Sequence, residues 1–328
     1  TQGPGFGCEQ TDMEDPTIDL NNTNKNFVSI NLKNEEGMKF MKKLLADADI
    51  FVNNLRDKAL NKMGLDYETL HKEFPTLIWA QMRGYGEYGP EKDSPGFDAV
   101  CWAARGGVAN VFREDGESPA IAPQAFGDYN VGHMLATGIV SALFNRTRTG
   151  KGEKVVTNLY AGAIWGGNIG ICATQFGAPY PKSRKHVPNP FNNTYRTYDD
   201  KWIYICMPQY DKYYPMMMGL FGHEDQIENP DTNNLTSLKA SGKNVEVIDW
   251  LEKAFAKKTF DEWMAIFKEN EVPAQKCFRY TDVVKDEEEY DNDALRMVEY
   301  EAYGKRALPM TPVSYTHLRA HETCADLV

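Results

Sequence analysis

The chain has 328 residues, of which 42% are hydrophobic and 25% charged, with a formal net charge of −11. This is the make-up of a globular protein long enough for about two domains and a large core. The acidic balance speaks against nucleic acid or an acidic membrane as the main partner, while a local basic pocket can still take an anionic small ligand.

In chain order, Thr1 to Pro16 is Gly-rich and polar and reads as the middle of a loop. Val28 to Leu32 reads as a strand. Asn34, followed by Glu35 and Glu36, predicts a helix start, with Met38, Met41, Leu44 and Leu45 on its apolar face. Asp49 to Asn53 is a short strand, Asp66 caps a helix through Leu70 and His71, and Leu77 to Met82 is a second strand. The Gly-rich stretch Gly84 to Pro90 follows it, where an α/β sheet commonly places ligand contacts. A helix from about Asp98 to Ala104, an apolar helix over Met134 to Phe144, a strand near Glu153 to Thr157 and a buried helix from Leu159 to Cys172 come next. This alternation predicts an α/β layer structure with a largely parallel sheet.

Pro, Asn and basic residues cluster from Pro179 to Asn193, as in a linker or lid. Beyond it, strands at Lys201 to Met207 and Val272 to Cys277 flank two helices. One is Val245 to Ala256, with Val245, Ile248, Trp250, Leu251 and Phe255 as core candidates. The other opens with the capping box Thr259-Phe260-Asp261-Glu262. The Pro215 to Met218 run reads as core filling, and Asp286 to Glu289 as a solvated helix face. The expected domains are an incomplete large α/β domain over 17–180, a linker or lid over 181–197, a smaller α/β domain over 198–295 and a return to the large domain over 296–313. Residues 314–328 read as a translated sequencing adapter, a non-native tail, so the chain is expected to be truncated at both ends.

The 6 cysteines show no CxxC and no metal-ligand spacing, so buried free thiols in a reducing compartment and no metal are expected. The sequence holds no apolar run of ~18 residues and no signal-peptide pattern, which predicts a cytoplasmic protein without a membrane partner.

The most informative segment is Gly127-Asp128-Tyr129-Asn130-Val131-Gly132, followed one helix later by Arg148-Thr149-Gly150-Lys151-Gly152. From spacing alone, Asp128 reads as a helix cap. The pattern Gly-Asp-x-x-x-Gly and then R-T-G-x-G, however, resembles the signature of the class III (formyl-CoA transferase-like) CoA-transferases. Three more blocks resemble that family in the same order. They are Asn22 to Lys25, Ala48 to Asn54 through Met63-Gly64-Leu65, and Gly84 to Pro90 with Pro95-Gly96-Phe97-Asp98. The resemblance implies a Rossmann-like large domain with a smaller α/β domain in an interlocked homodimer. It implies that Asp128 is the nucleophile and that coenzyme A enters as part of an acyl-CoA substrate, with no permanently bound cofactor. By motif position Asn24, Lys25, Asn54 and Lys62 contact the CoA, and Phe97, Asp98 and Gly127 line the substrate pocket.

Some positions depart from the family pattern. Arg56-Asp57-Lys58 replaces R-P-G, and Pro188 to Asn193 stands where formyl-CoA transferases carry a glycine run. In the related α-methylacyl-CoA racemases a histidine base precedes the aspartate. Phe97 cannot take a proton and so argues against a racemase, the alternative enzyme. An inactive CoA-binding homologue is the non-enzyme alternative. Within the family, Lys182 to Lys185, Asn193 to Thr197 and Lys201-Trp202-Ile203 resemble the anaerobes' transferases for aromatic or branched 2-hydroxy and 2-enoyl acids. That likeness implies an aromatic-lined pocket and a small carboxylic acid partner in amino-acid fermentation. Phe97, Phe126, Tyr129 and Trp165 are pocket candidates, each read first as core. Arg146, Arg148, Lys151 and Lys154 read as a surface turn, and Asp98 as a helix cap.

Overall fold

The computed structural model of the chain describes residue 11 and residues 14–311. The chain divides into two compact units: Val28–Ser183, and Arg184 onward together with the residues up to Phe27. The short helix α1 (Pro16–Asn22) belongs to the second of these.

The unit Val28–Ser183 is an α/β layer. Helix α2 (Glu35–Asp47) starts where the Asn34 side chain accepts from the Gly37 N–H at 2.7 Å, and its acidic first turn suits the helix dipole. Strand β1 (Ile50–Asn53) leads to α3 (Asp57–Met63) and α4 (Tyr67–Glu73), the latter capped by Asp66. Strand β2 (Ile78–Arg83) follows. A π-helix (Ala99–Arg105), α5 (Val108–Val111), α6 (Phe126–Thr149), β3 (Lys154–Asn158), α7 (Leu159–Gly166) and α8 (Asn168–Thr174) complete the unit. The strands run parallel in the order β1-β2-β3, with Ile50 opposite Ile78 and Trp79 opposite Lys154. The central strand is buried from Ile78 to Gln81, as a parallel strand covered on both faces must be. Leu45, Leu60, Leu65, Leu70, Leu77 and Trp79 form one core cluster. Tyr85, Cys101, Trp102, Ala103, Val131, Leu159 and Ala163 form another.

The R-T-G-x-G segment has a structural reason. Gly150 takes φ 71° to end α6, and a Cβ on Gly152 would stand 2.1 Å from the Leu77 carbonyl oxygen, so only glycine lets the chain pass there. The Arg146 guanidinium, at the same end of α6, donates to Asp49 Oδ1 at 2.6 Å and to the Thr76 carbonyl at 3.1 Å. These partners precede β1 and β2, so the C-terminus of α6 is tied to the sheet's N-terminal edge. Its N-terminus therefore points to the C-terminal edge, where parallel sheets place ligands.

In the other unit, β4 (Asn192–Arg196), β5 (Trp202–Cys206) and β6 (Ala274–Lys276) form an antiparallel sheet in that order. Helices α9 (Tyr210–Phe221), α10 (Leu235–Ser241), α11 (Asn244–Phe255) and α12 (Phe260–Glu269) lie between β5 and β6 in sequence. Their core includes Tyr195, Tyr214, Met217, Met218, Phe255 and Trp263, with Tyr195 stacked on Phe255 at 4.7 Å. The Thr259 capping box forms as its residues predict. Two short helices, α13 (Tyr280–Val283) and α14 (Glu287–Asp291), lead into the hairpin of β7 (Leu295–Tyr300) and β8 (Gly304–Pro309).

Several sequence expectations are corrected. Val28 to Leu32 is not a strand: no described strand pairs with it, and Phe27 and Val28 are exposed. The predicted helix Leu159 to Cys172 is two helices broken at Gly167, and its outer half is exposed at Trp165 and Ile169. Lys154 sits in β3, ion-paired with Glu87, and Arg146 is an anchor rather than a turn residue. Of the described cysteines only Cys101 is buried; Cys172, Cys206 and Cys277 are free but exposed. Val245 is exposed, and Val247 takes the core position instead. Residues 314–328 lie outside the described residues, as do Cys8 and Cys324.

Candidate active site

Three chain segments meet at the C-terminal edge of the parallel sheet. Asn54 directly follows β1, the Gly84 loop follows β2, and α7 starts directly after β3. Asn158 caps α7, its side chain accepting from the Ala161 N–H at 2.7 Å, while the Tyr160 N–H donates to the Gly84 carbonyl at 3.2 Å. The N-terminus of α6 brings Asp128 to this edge.

Asp128 is not the cap of α6. Ala125 is the N-cap residue, at φ 57°, and Asp128 stands three residues inside. Its half-buried carboxylate accepts no hydrogen bond among the described residues. Burial raises its pKa above the usual carboxylate value, and the nearby Asp98 charge adds to the rise. The helix N-terminus opposes this, so the group is poised between two influences. An acidic side chain with a perturbed pKa at a sheet's ligand edge is a candidate nucleophile or base.

Asp98 caps the π-helix, accepting from the Ala99 N–H at 2.7 Å, so its cap reading holds. Gly127 is buried, and a Cβ there would stand 2.7 Å from Trp102 Cγ, so the glycine lets the indole press against the start of α6. Phe126 meets the same indole edge-on, with ring centroids 5.6 Å apart. Phe97, Phe126, Tyr129 and Trp165 are all exposed, between 43% and 75%, so none belongs to the core as first read. Asn54 and Lys62 are exposed, Lys62 in the last turn of α3. Asn24 and Lys25 are exposed in the other unit, where the Lys25 ammonium donates to the Asn21 carbonyl at 2.6 Å.

Tyr85, Cys101, Trp102 and Arg105 were not legible as site residues in the sequence. The Arg105 guanidinium lies over the Tyr85 and Tyr160 rings at 5.1 and 5.3 Å. Among the described residues no group of three His, Cys, Asp or Glu side chains could hold a metal ion, and no helix is long and apolar enough to cross a membrane.

A family model described as CoA-transferase family III matches residues 3–324. The chain belongs to this family. It is 40% identical over 315 residues to the cinnamoyl-CoA:phenyllactate CoA-transferase of Clostridium sporogenes, covering 95% of this chain and 76% of that protein. It is 38% identical to the (R)-2-hydroxy-4-methylpentanoate CoA-transferase of Clostridioides difficile, covering 95% of this chain and 78% of that one. The orthorhombic crystal structure of Rv3272 from M. tuberculosis superimposes with a TM-score of 0.78 at 27% identity, over 92% of this chain and 80% of that chain. The chain is thus a class III CoA-transferase, and acyl-CoA enters as its substrate. The α/β fold with a parallel sheet matches the sequence expectation.

Proposed function

We propose that this CoA-transferase exchanges CoA between an acyl-CoA and a free aromatic or branched 2-hydroxy or 2-enoyl acid, with Asp128 as the covalent nucleophile. The observation that carries the reading is the half-buried Asp128 carboxylate, without a hydrogen-bond partner among the described residues, on the sheet's ligand edge. An Asp128 oxygen attacks the thioester carbonyl carbon, the C–S bond breaks, and CoA leaves as the thiolate. The thiolate attacks Asp128 Cγ, the anhydride C–O bond breaks, and the donor acid leaves as a carboxylate. The acceptor carboxylate then attacks the aspartyl thioester and releases the thiolate. That thiolate attacks the acceptor acyl carbon, giving the new acyl-CoA and restoring Asp128. Each attack builds an oxyanion that backbone N–H donors must meet, and the Gly84 to Gly89 loop is the candidate source.

Asn24, Lys25, Asn54 and Lys62 are proposed CoA contacts, and Phe97, Asp98 and Gly127 pocket residues. The exposed aromatic side chains Phe97 and Phe126, neither of them core, support a hydrophobic acid. The acids named for the Clostridium sporogenes and Clostridioides difficile relatives point the same way. Phenylalanine at position 97 supplies no proton acceptor, which disfavours the racemase reading.

A homodimer is proposed because Val140, Phe144, Ile169 and Phe176 of one unit are exposed apolar side chains. The free cysteines fit a cytoplasmic site of action.

The test is intact mass spectrometry after incubation with cinnamoyl-CoA, with hydroxylamine as trap. An adduct mapped to Asp128, absent in Asp128→Ala with CoA affinity little changed, supports the proposal. Transferase activity surviving in Asp128→Ala refutes it.

A further inference from the structure

Cys101 is fully buried at the point where the glycine loop crosses the segment before the π-helix. The two backbones touch there. A Cβ on Gly84 would stand 2.7 Å from Gly96 Cα and 3.0 Å from Cys101 Sγ, and a Cβ on Gly96 would stand 2.6 Å from Gly84 Cα and 2.8 Å from the same sulfur. The sulfur is therefore the floor on which both glycines rest. The Cys101 N–H donates to the Phe97 carbonyl at 2.8 Å, which ties the Gly96-Phe97-Asp98 turn to the π-helix. Tyr85 packs with Cys101 in one buried cluster, and its hydroxyl meets the Cys101 thiol.

The next residue holds the other side. Trp102 packs against Gly127, the residue before Asp128, with Trp102 Cγ and Cβ 2.7 and 2.8 Å from where a Cβ would stand. Adjacent residues on one helix thus grip two different segments. One carries Asp128, and the other carries the glycine loop and Phe97-Asp98.

We propose that the π-helix residues Cys101 and Trp102 are positioning residues of the transfer reaction, with the Cys101 thiol setting the height of the Gly84 loop above Asp128. The inference rests on the reading of Asp128 as nucleophile. A buried cysteine at such a crossing fills a gap too small for a branched side chain. It acts through the loop and touches no substrate. Loop and carboxylate must agree to within a fraction of an ångström for the acyl carbon to meet both, since a misplacement of about 1 Å can cost ~100-fold in rate.

The experiment uses the full chain and reads single-turnover formation of the Asp128 adduct from cinnamoyl-CoA, alongside the Kd for cinnamoyl-CoA. Cys101→Ala removes the floor and adds no bulk. It is expected to slow adduct formation about tenfold or more with Kd within about twofold of wild type. Cys101→Ser refills most of the gap and keeps a partner for the Tyr85 hydroxyl, so it is expected to recover most of the rate. Tyr85→Phe deletes only the hydroxyl and is expected to slow the step several-fold; it carries the test if Cys101→Ala does not fold. An unchanged adduct rate in either Cys101→Ala or Tyr85→Phe, or a loss seen wholly in Kd, overturns the proposal. Asp128→Ala is run beside them. An adduct persisting there overturns the nucleophile reading, whereas its loss with Cys101→Ala at the wild-type rate overturns the positioning role alone.

Discussion

Two glycines on one helix separate the helix's own preference from the demands of the site. Gly127 and Gly132 both lie in α6. Alanine at an unhindered helical position is worth about 0.5–1 kcal/mol over glycine. Nothing lies within 4 Å of a Cβ placed on Gly132, so Gly132→Ala is expected to stabilise by that amount. A Cβ on Gly127 would stand 2.7 to 2.9 Å from three atoms of Trp102. That is about 1 Å inside the ~3.5–4.0 Å optimum for carbon pairs. The indole is nearly buried and edge-packed by Phe126, so it has little room to yield. Overpacking of this kind costs about 1–3 kcal/mol, which outweighs the helix gain. The two variants are expected to differ by about 2 kcal/mol in urea unfolding, with Gly127→Ala the weaker. Because the clash pushes on the residue before Asp128, Gly127→Ala is also expected to lose tenfold or more in kcat while Gly132→Ala keeps wild-type kcat. If Gly127→Ala proved as stable as Gly132→Ala, or turned over like wild type, the packing argument for the site would be wrong.

Other perturbations probe separate parts of the molecule. Burial, and then the Asp98 charge, raise the pKa of Asp128 above its ordinary value, so its ionisation is disfavoured in the fold. The favourable protonated form is fully present at low pH and lost as pH rises through the folded value. Asp98→Asn, which keeps the helix cap, should move the acid limb of kcat/KM to lower pH; a shift upward or none at all counts against the Asp98 contribution. Arg146→Ala removes hydrogen bonds to the Thr76 carbonyl and to the exposed Asp49, and should cost about 1 kcal/mol in urea unfolding, mostly from the carbonyl. An unchanged urea midpoint would mean α6 is not anchored there. Thr259→Ala breaks the capping box of α12 and should cost about 1 kcal/mol. The Asp128 adduct rate should stay the same, and a fall in that rate would contradict a purely local role.

The elements that could be read from sequence are those whose signal is local. Asn34, Asp66 and Thr259 announce helix starts because a side-chain oxygen and an N–H three residues on suffice to make a cap. The strand at Leu77 to Met82 was legible because a parallel strand covered on both faces is a near-continuous apolar run, here interrupted only by Gln81. Val28 to Leu32 alternates apolar and polar residues as a strand with one covered face does, yet finds no described partner, since strand pairing is decided elsewhere in the chain. The break at Gly167 fell inside an unbroken apolar run, where periodicity gives no boundary. Asp128 was singled out by its motif, but its raised pKa depends on burial and on Asp98, both set by the tertiary fold. Cys101 and Trp102 carried no signal because their role comes from Gly84, Gly96 and Gly127, three glycines far apart in sequence that converge on adjacent residues.

The chemistry proposed for Asp128 asks for a carboxylate that is a nucleophile in one step and a leaving group in another. Attack on a thioester is favoured by a desolvated, basic carboxylate, since a hydrogen-bonded one must shed its partners first. Departure from the acyl anhydride is favoured by an acidic one. A site optimised for either step alone would stall the other. In this fold the opposing requirements fall on different features. Burial and Asp98 raise the basicity of Asp128, while its place in the first turn of α6 stabilises the anion that leaves. The donor, acceptor and enzyme acids are all carboxylic acids, so a balanced exchange needs them close in basicity. A group held up by burial and down by a helix terminus meets that need. It follows that substituting Asp128 by Glu, which moves the carboxylate out of this field by one methylene, should lower kcat far more than it raises the KM for acyl-CoA. The steady-state parameters of that single variant report whether the field, and not merely the functional group, is what α6 supplies.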